Sequence, residues 1–144
     1  MPNVSTSHSA SPESFTVCHA AHFAIRWLQP STAIITAHGE IDAANAIGFV
    51  DYALRYADRT DNLVIDLTGI EFFGSAGFSA LHTLNVRCAA ADIAWAMATS
   101  KSVNRLLRIC DPDMALPVHA SAEAALSALT AERSPLLQLV TEPS

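Results

Sequence analysis

The stretch Leu63-Val-Ile-Asp-Leu-Thr-Gly-Ile-Glu-Phe-Phe-Gly-Ser-Ala-Gly-Phe-Ser-Ala-Leu81 decides how the chain is read. Leu63 to Leu67 is apolar on both faces except at Asp66, the pattern of a central strand buried between two layers. A short turn follows, and Ser75 opens a helix whose inward stripe is Gly77, Leu81, Leu84 and Cys88. Ser75 therefore stands where backbone N–H groups lack partners and the helix dipole is positive. Such a position holds a phosphate well. A serine ahead of a helix is also a common N-cap, worth about 1 kcal/mol, so position alone does not make it functional. Its neighbours strengthen the functional reading. Gly74 and Gly77 flank it and Ala76 is small, so another protein's backbone can approach closely. A phosphate on Ser75 would bring about −1.5 to −2 charges. The helix tip solvates that charge in the free protein, but a partner packed over it would not.

The rest of the chain alternates around this unit. Residues 22–28 and 32–37 read as two adjacent strands, separated by a turn at Gln29-Pro30-Ser31. Gly39-Glu-Ile-Asp42 follows, with Asp42 as a helix N-cap. Ala43, Ile47, Val50, Leu54 and Ala57 then form an inward stripe, opposite a solvated face of Asp51, Arg55, Asp58 and Arg59 with Asp51 paired to Arg55. Residues 93–98 make a fourth strand, with Trp95 and Met97 on one face. Residues 101–110 make a third helix with Val103, Leu106, Leu107 and Cys110 inward. Residues 116–119 make a fifth strand, and Ser121 caps a last helix that turns Ala122, Ala125, Leu126 and Leu129 inward. The order is β-β-α-β-α-β-α-β-α. It implies an α/β fold, a mostly parallel sheet of about five strands flanked by four helices with right-handed crossovers. Functional loops of such sheets lie at the carboxyl ends of the strands. The Gly39–Asp42 and Thr68–Ser75 segments are both at that end and are expected to share one surface.

Composition narrows the function classes. The 144 residues are 51% hydrophobic and 15% charged, enough to bury one sizeable core. Residues 1–14 and 134–144 read as flexible tails around a domain spanning 15–133. A net charge of −6 repels phosphate backbones and argues against nucleic acid. No apolar run is long enough to span a membrane, and residues 1–14 lack the pattern of a secretory signal. The expected compartment is the cytoplasm. Cys18, Cys88 and Cys110 are scattered, with no Cys-x-x-Cys, and read as reduced thiols. Cys88 and Cys110 fall on apolar helix faces, so a redox switch is the minor reading.

Catalytic chemistry fits the chain poorly. The nucleophile elbow needs Gly-x-Ser-x-Gly, and Phe73 stands two residues before Ser75. His82 is two turns from Ser75 along the helix axis, beyond hydrogen-bond reach. His38, at the end of the second strand, could approach the site. No His-x-x-His or His-Glu-x-x-His metal spacing occurs, and no cofactor is implied. An aspartyl-phosphate receiver at Asp66 would use Glu40 and Asp42 for Mg²⁺ but finds no suitable lysine, since Lys101 is the only one. Asp66 bonded to nearby backbone N–H groups is the plainer account. Of Phe72, Phe73 and Phe78, some must be core; Phe78, one step off the inward stripe, suits a half-exposed contact patch.

The element order, Gly39-Glu-Ile-Asp42, and Asp66-Leu-Thr-Gly-Ile-Glu-Phe-Phe-Gly-Ser-Ala-Gly77 together resemble the STAS domain family, and within it the bacterial anti-sigma factor antagonists. The likeness covers about residues 20–132. The family signature ends in Asp-Ser-(Ser/Thr)-Gly before an apolar helix. On it, Ser75 matches the phosphorylated serine and Gly77 the glycine of the helix start. Gly39 and Asp42 match a Gly-x-Leu-Asp turn whose loop touches the partner. The resemblance implies a non-enzymatic binding protein. Unphosphorylated, it would dock on an anti-sigma factor, a GHKL-type serine kinase, and free a sigma factor. The kinase would end the complex by phosphorylating Ser75, and a PP2C-type phosphatase would reset it. The implied contact residues are Gly39, Glu40, Asp42, Gly74, Ser75, Ala76, Gly77 and Phe78. The chain departs from the signature twice: Gly74 stands at the aspartate and Ala76 at the Ser/Thr. The alternative is a non-phosphorylated STAS scaffold or ligand-sensing module, regulated by abundance or redox state.

Overall fold

A computed structural model describes residues 14–18, 20–28 and 31–132. The expected tails 1–14 and 134–144 lie outside the described residues, apart from Ser14, which opens the first strand. The strands are β1 (Ser14–Cys18), β2 (Ala21–Leu28), β3 (Thr32–Ile41), β4 (Asn62–Phe73), β5 (Ala94–Thr99) and β6 (Val118–His119). The helices are α1 (Ala46–Ala53), α2 (Ser75–Ala90), α3 (Lys101–Cys110) and α4 (Ala122–Glu132), with one 3₁₀ turn at Ala57–Arg59. The strands lie side by side in chain order in one six-stranded sheet. β1–β2 and β2–β3 are antiparallel, and β3–β4, β4–β5 and β5–β6 are parallel. β4 is central, as its two-faced apolar run predicts. Among the described residues no helix is long and apolar enough to cross a membrane.

The two sheet faces carry separate cores. Phe23, Ile35, Ile65 and Met97 point toward Phe49 of α1 and Leu81 and Leu84 of α2, all fully buried or nearly so. Ile34, Val64 and Ala96, one residue out of phase, pack beneath Ala125 and Leu129 of α4. The period of two along each strand decides which helix layer each side chain meets. The stripe Gly77, Leu81, Leu84 and Cys88 is buried as expected, and so are Val103 and Leu107 of α3. Ser121 caps α4 by accepting from the Ala124 N–H at 3.1 Å.

The structure adds one strand to the about five expected and corrects three expectations. The added strand, β1, pairs with β2 from Ser14↔Ile25 to Cys18↔Ala21. β3 and β4 run on to Ile41 and Phe73, through segments expected to be loops. Their ladder survives there through two register shifts, between Thr36 and His38 and between Gly39 and Glu40. The first helix is shorter and rotated. It begins at Ala46, with Asn45 rather than Asp42 at its N-cap, and buries Ala46, Phe49, Val50, Tyr52 and Ala53. Ala43 and Ile47 of the expected stripe face out. Phe49 and Tyr52 both stack against Phe23, and that aromatic cluster outweighs the aliphatic stripe in setting the helix's rotation. Arg55 lies over the rings of Tyr52 and Tyr56 instead of pairing with Asp51.

Candidate functional site

Residues 39–42 and 72–78 meet at the carboxyl ends of β3 and β4. Glu40 pairs with Phe72 and Ile41 with Phe73, and the Gly74 N–H donates to the Ile41 carbonyl at 2.9 Å. One residue, Gly74, then separates strand from helix, so Ser75 is held rigidly beside the Glu40–Asp42 segment. That segment is fixed in turn by Asp42 and Asn45. The Asp42 N–H donates to Asn45 Oδ1 at 3.0 Å, the Ala44 N–H to Asp42 Oδ1 at 2.9 Å, and Asn45 Nδ2 to the Glu40 carbonyl at 2.9 Å. Asp42 therefore builds a turn one step ahead of the helix, as a short Asx side chain does.

Two glycines make this arrangement possible. Gly39 has φ +101°, and a Cβ there would lie 2.3 Å from the Ala20 carbonyl oxygen, the atom that accepts the Glu40 N–H at 3.1 Å. A Cβ on Gly77 would lie 2.6 Å from the Phe73 ring, so the glycine lets α2 sit directly on the end of β4.

Ser75 is exposed and is the first residue of the 16-residue α2. It is not the cap: Gly74 occupies the N-cap position, and no side chain caps this helix. The hydroxyl is therefore not spent on helix capping, and the first-turn N–H groups and the dipole of α2 face the same surface. Glu40 is exposed, and Asp42, Gly74, Ala76 and Phe78 are half-buried. Gly39, Glu40, Asp42, Gly74, Ser75, Ala76 and Phe78 thus share one accessible surface, while Gly77 is buried beneath it. Alongside runs a shallow groove of about 360 Å³ between α1 and α2, lined at one end by Ala46, Ile47 and Ala76 and at the other by Asp51 and Arg87.

Two apolar residues of this region are exposed where the sequence reading did not place them outside. Ile47 is 76% exposed on the rim of the groove. Phe72 is 51% exposed and would touch a Cβ on Gly74 at 3.4 Å. Strand alternation, with Phe73 turned inward, is the signal that places Phe72 outside. No comparable signal existed for Ile47, which fits the helical period as well as Phe49 does. His38 is exposed, its ring packed where a Cβ on Gly69 would be. Asp66 accepts from the Thr68 N–H at 3.0 Å and the Thr68 hydroxyl at 2.7 Å. It keeps step with Val64 toward the α4 layer, across the sheet from α2.

A family description for the STAS domain matches residues 28–125. The chain belongs to the STAS domain family. This STAS domain is 31% identical to Osmosensory protein A of Mycobacterium tuberculosis, across 80% of the chain and 78% of that protein. It is 34% identical to the anti-sigma-F factor antagonist RsfA of the same species, across 68% of the chain and 80% of that protein. Among solved structures, an anti-sigma factor antagonist from Mycobacterium paratuberculosis superposes with a TM-score of 0.67 at 22% identity. That likeness covers 75% of this chain and 92% of the other, and it establishes the shared fold.

The thiols of this STAS domain differ in access. Cys88 is fully buried, and burial pushes its thiol up to about 11 against the opposing pull of Arg87. Cys110 is half-buried, and the side chain of Cys18 lies outside the described residues. Cys88 should therefore resist iodoacetamide in the native protein at pH 8 and react fully in urea, as read by peptide mass. Rapid native labelling at Cys88 would contradict the packing of α2.

Proposed function

We propose that this protein is an anti-sigma factor antagonist, a binding protein and not an enzyme, acting in the cytoplasm. Its unphosphorylated surface docks on an anti-sigma factor of the GHKL serine-kinase type and releases a sigma factor. Phosphorylation of Ser75 ends the complex, and a PP2C-type phosphatase restores it. The observation that carries this reading is the exposed Ser75 at the first position of α2, next to Gly74, whose N–H bonds to the Ile41 carbonyl in the Glu40–Asp42 segment. The names of RsfA and of the superposed antagonist support it. The chemistry is electrostatic. A phosphoryl group at Ser75 is stabilised by the α2 dipole in the free protein. In a complex the same group would be desolvated within an already acidic surface, so it favours dissociation.

Incubation with the GHKL-type anti-sigma factor and ATP should add one phosphate to the intact mass, mapped to Ser75 and absent from Ser75→Ala. Binding without transfer would leave the second reading, an antagonist or scaffold controlled by its abundance. Gly74 favours that reading, because it removes the carboxylate that the family places beside the serine. The backbone accepts the missing residue: Gly74 has φ −86° and ψ 176°, and a Cβ there meets nothing closer than Phe72 at 3.4 Å. Gly74→Asp should fold normally and gain a few tenths of a kcal/mol from capping α2. It should also be phosphorylated faster than the natural protein in the same assay. An unchanged rate would show that residue 74 does not set kinase recognition.

A further inference from the structure

Helix α3 carries charge that nothing else in the fold uses. Lys101, Arg105 and Arg108 are spaced by four and three residues and share one side of the helix. No acidic residue interrupts residues 101–110, although the chain as a whole has a net charge of −6. All three side chains are exposed, and among the described residues they enter no ion pair or ring contact. Arg55 and Arg59, by contrast, lie over aromatic rings. Beside Arg105 a cleft of about 220 Å³ opens between α3 and the end of β4, with Phe72, Phe73, Leu106 and Ile109 as its apolar lining and Glu71 as its one carboxylate. Ile109 is 74% exposed and Phe72 51% exposed, and the Ser102 hydroxyl, donating to the Glu71 carbonyl at 2.7 Å, ties α3 to the end of β4 at the cleft. Its volume falls below the range of about 300–1,000 Å³ typical of small-molecule sites, so it suits one or two side chains better than a metabolite.

We propose that α3 and Phe72 form a second docking surface, one that takes an acidic amphipathic helix of a partner protein. The helix would place an apolar side chain between Phe72 and Ile109 and turn its carboxylates toward Lys101, Arg105 and Arg108. Charge complementarity selects the occupant: a cationic strip on an acidic chain repels basic segments and attracts acidic ones. Three cations on a chain of this net charge are too few to hold a nucleic acid.

Amide chemical shifts of the ¹⁵N-labelled protein test the proposal with two synthetic amphipathic helical peptides. Both have the same Leu/Phe face, and the polar face is Glu in one and Lys in the other. The Glu peptide should shift residues 71–73 and 101–110 and bind at least about tenfold more tightly than the Lys peptide. The triple variant K101E/R105E/R108E should reverse that preference, and Phe72→Ala should weaken the Glu peptide at least about fivefold. All four positions are solvent-exposed, and circular dichroism checks that the variants fold. Equal affinity for the two peptides overturns the proposal. So do shifts confined to the α1–α2 groove, or a triple variant that still prefers the Glu peptide.

Discussion

Gly39→Ala should destabilise the protein by roughly 3 kcal/mol, lowering Tm by on the order of 10 °C, because two costs fall on one atom. The φ of +101° is a conformation that side-chain-bearing residues rarely adopt. The added methyl would also lie 2.3 Å from the Ala20 carbonyl oxygen and 3.3 Å from the Ala21 Cα, both backbone atoms that cannot rotate aside. Relief requires β2 and β3 to separate at their pairing of Ala21 with Gly39. It also disturbs the Glu40 N–H bond to Ala20 and with it the segment leading to Asp42. Partner affinity should therefore fall together with stability. Gly74→Ala is the control: its Cβ makes only ordinary contact on extended backbone, so its melting curve should lie close to that of the natural protein. Equal Tm values for the Gly39→Ala variant and the natural protein would show that β3 does not turn as described.

Ser75→Glu should weaken binding to the anti-sigma factor by at least about 2 kcal/mol, roughly thirtyfold in Kd, while leaving Tm nearly unchanged. The exposed position and the positive end of α2 both tolerate a carboxylate in the free protein. Beneath a partner the same carboxylate loses its water, with the Asp42 and Glu40 side chains nearby and no cation among the residues of this surface. Ser75→Ala removes only a hydroxyl and should bind about as well as the natural protein. Because the effect depends on burial at the interface, it should appear mainly as faster dissociation in surface-plasmon or calorimetric measurements. A Ser75→Glu variant that matches the natural protein would rule out a phosphate switch at this residue.

The sequence made the layered α/β fold legible because each long element repeats its pattern without competition. The two-sided apolar run of β4 and the Gly77–Leu81–Leu84–Cys88 stripe each have one good solution. The start of α2 at Ser75 was readable for the same reason. Where two solutions competed, tertiary packing decided. Ile47 and Phe49 both fit an inward helix face, and stacking of Phe49 and Tyr52 on Phe23 in a distant strand turned Ile47 out. Asp42 and Asn45 are both cap-type residues, but their mutual bonds close a turn ahead of the helix, so α1 starts after Asn45 with no side-chain cap. The extension of β3 and β4 was hidden by Gly39, Gly69 and Gly74, which read as loop residues. Here Gly39 and Gly69 absorb register shifts and close approaches within a continuous ladder, while Gly74 lies just past its end as the N-cap of α2. β1 had only a short segment to announce it, and it owes its place to pairing along the whole of its length with β2.

Hydrogen exchange of the labelled protein, alone and bound to the proposed anti-sigma factor partner, tests the assignment of the docking face most directly. Amides of residues 39–42 and 72–78 should slow on binding, and this protection should vanish when Ser75 carries a phosphate. Protection confined to other parts of the molecule, with the α2 tip exchanging freely in the complex, would contradict the account.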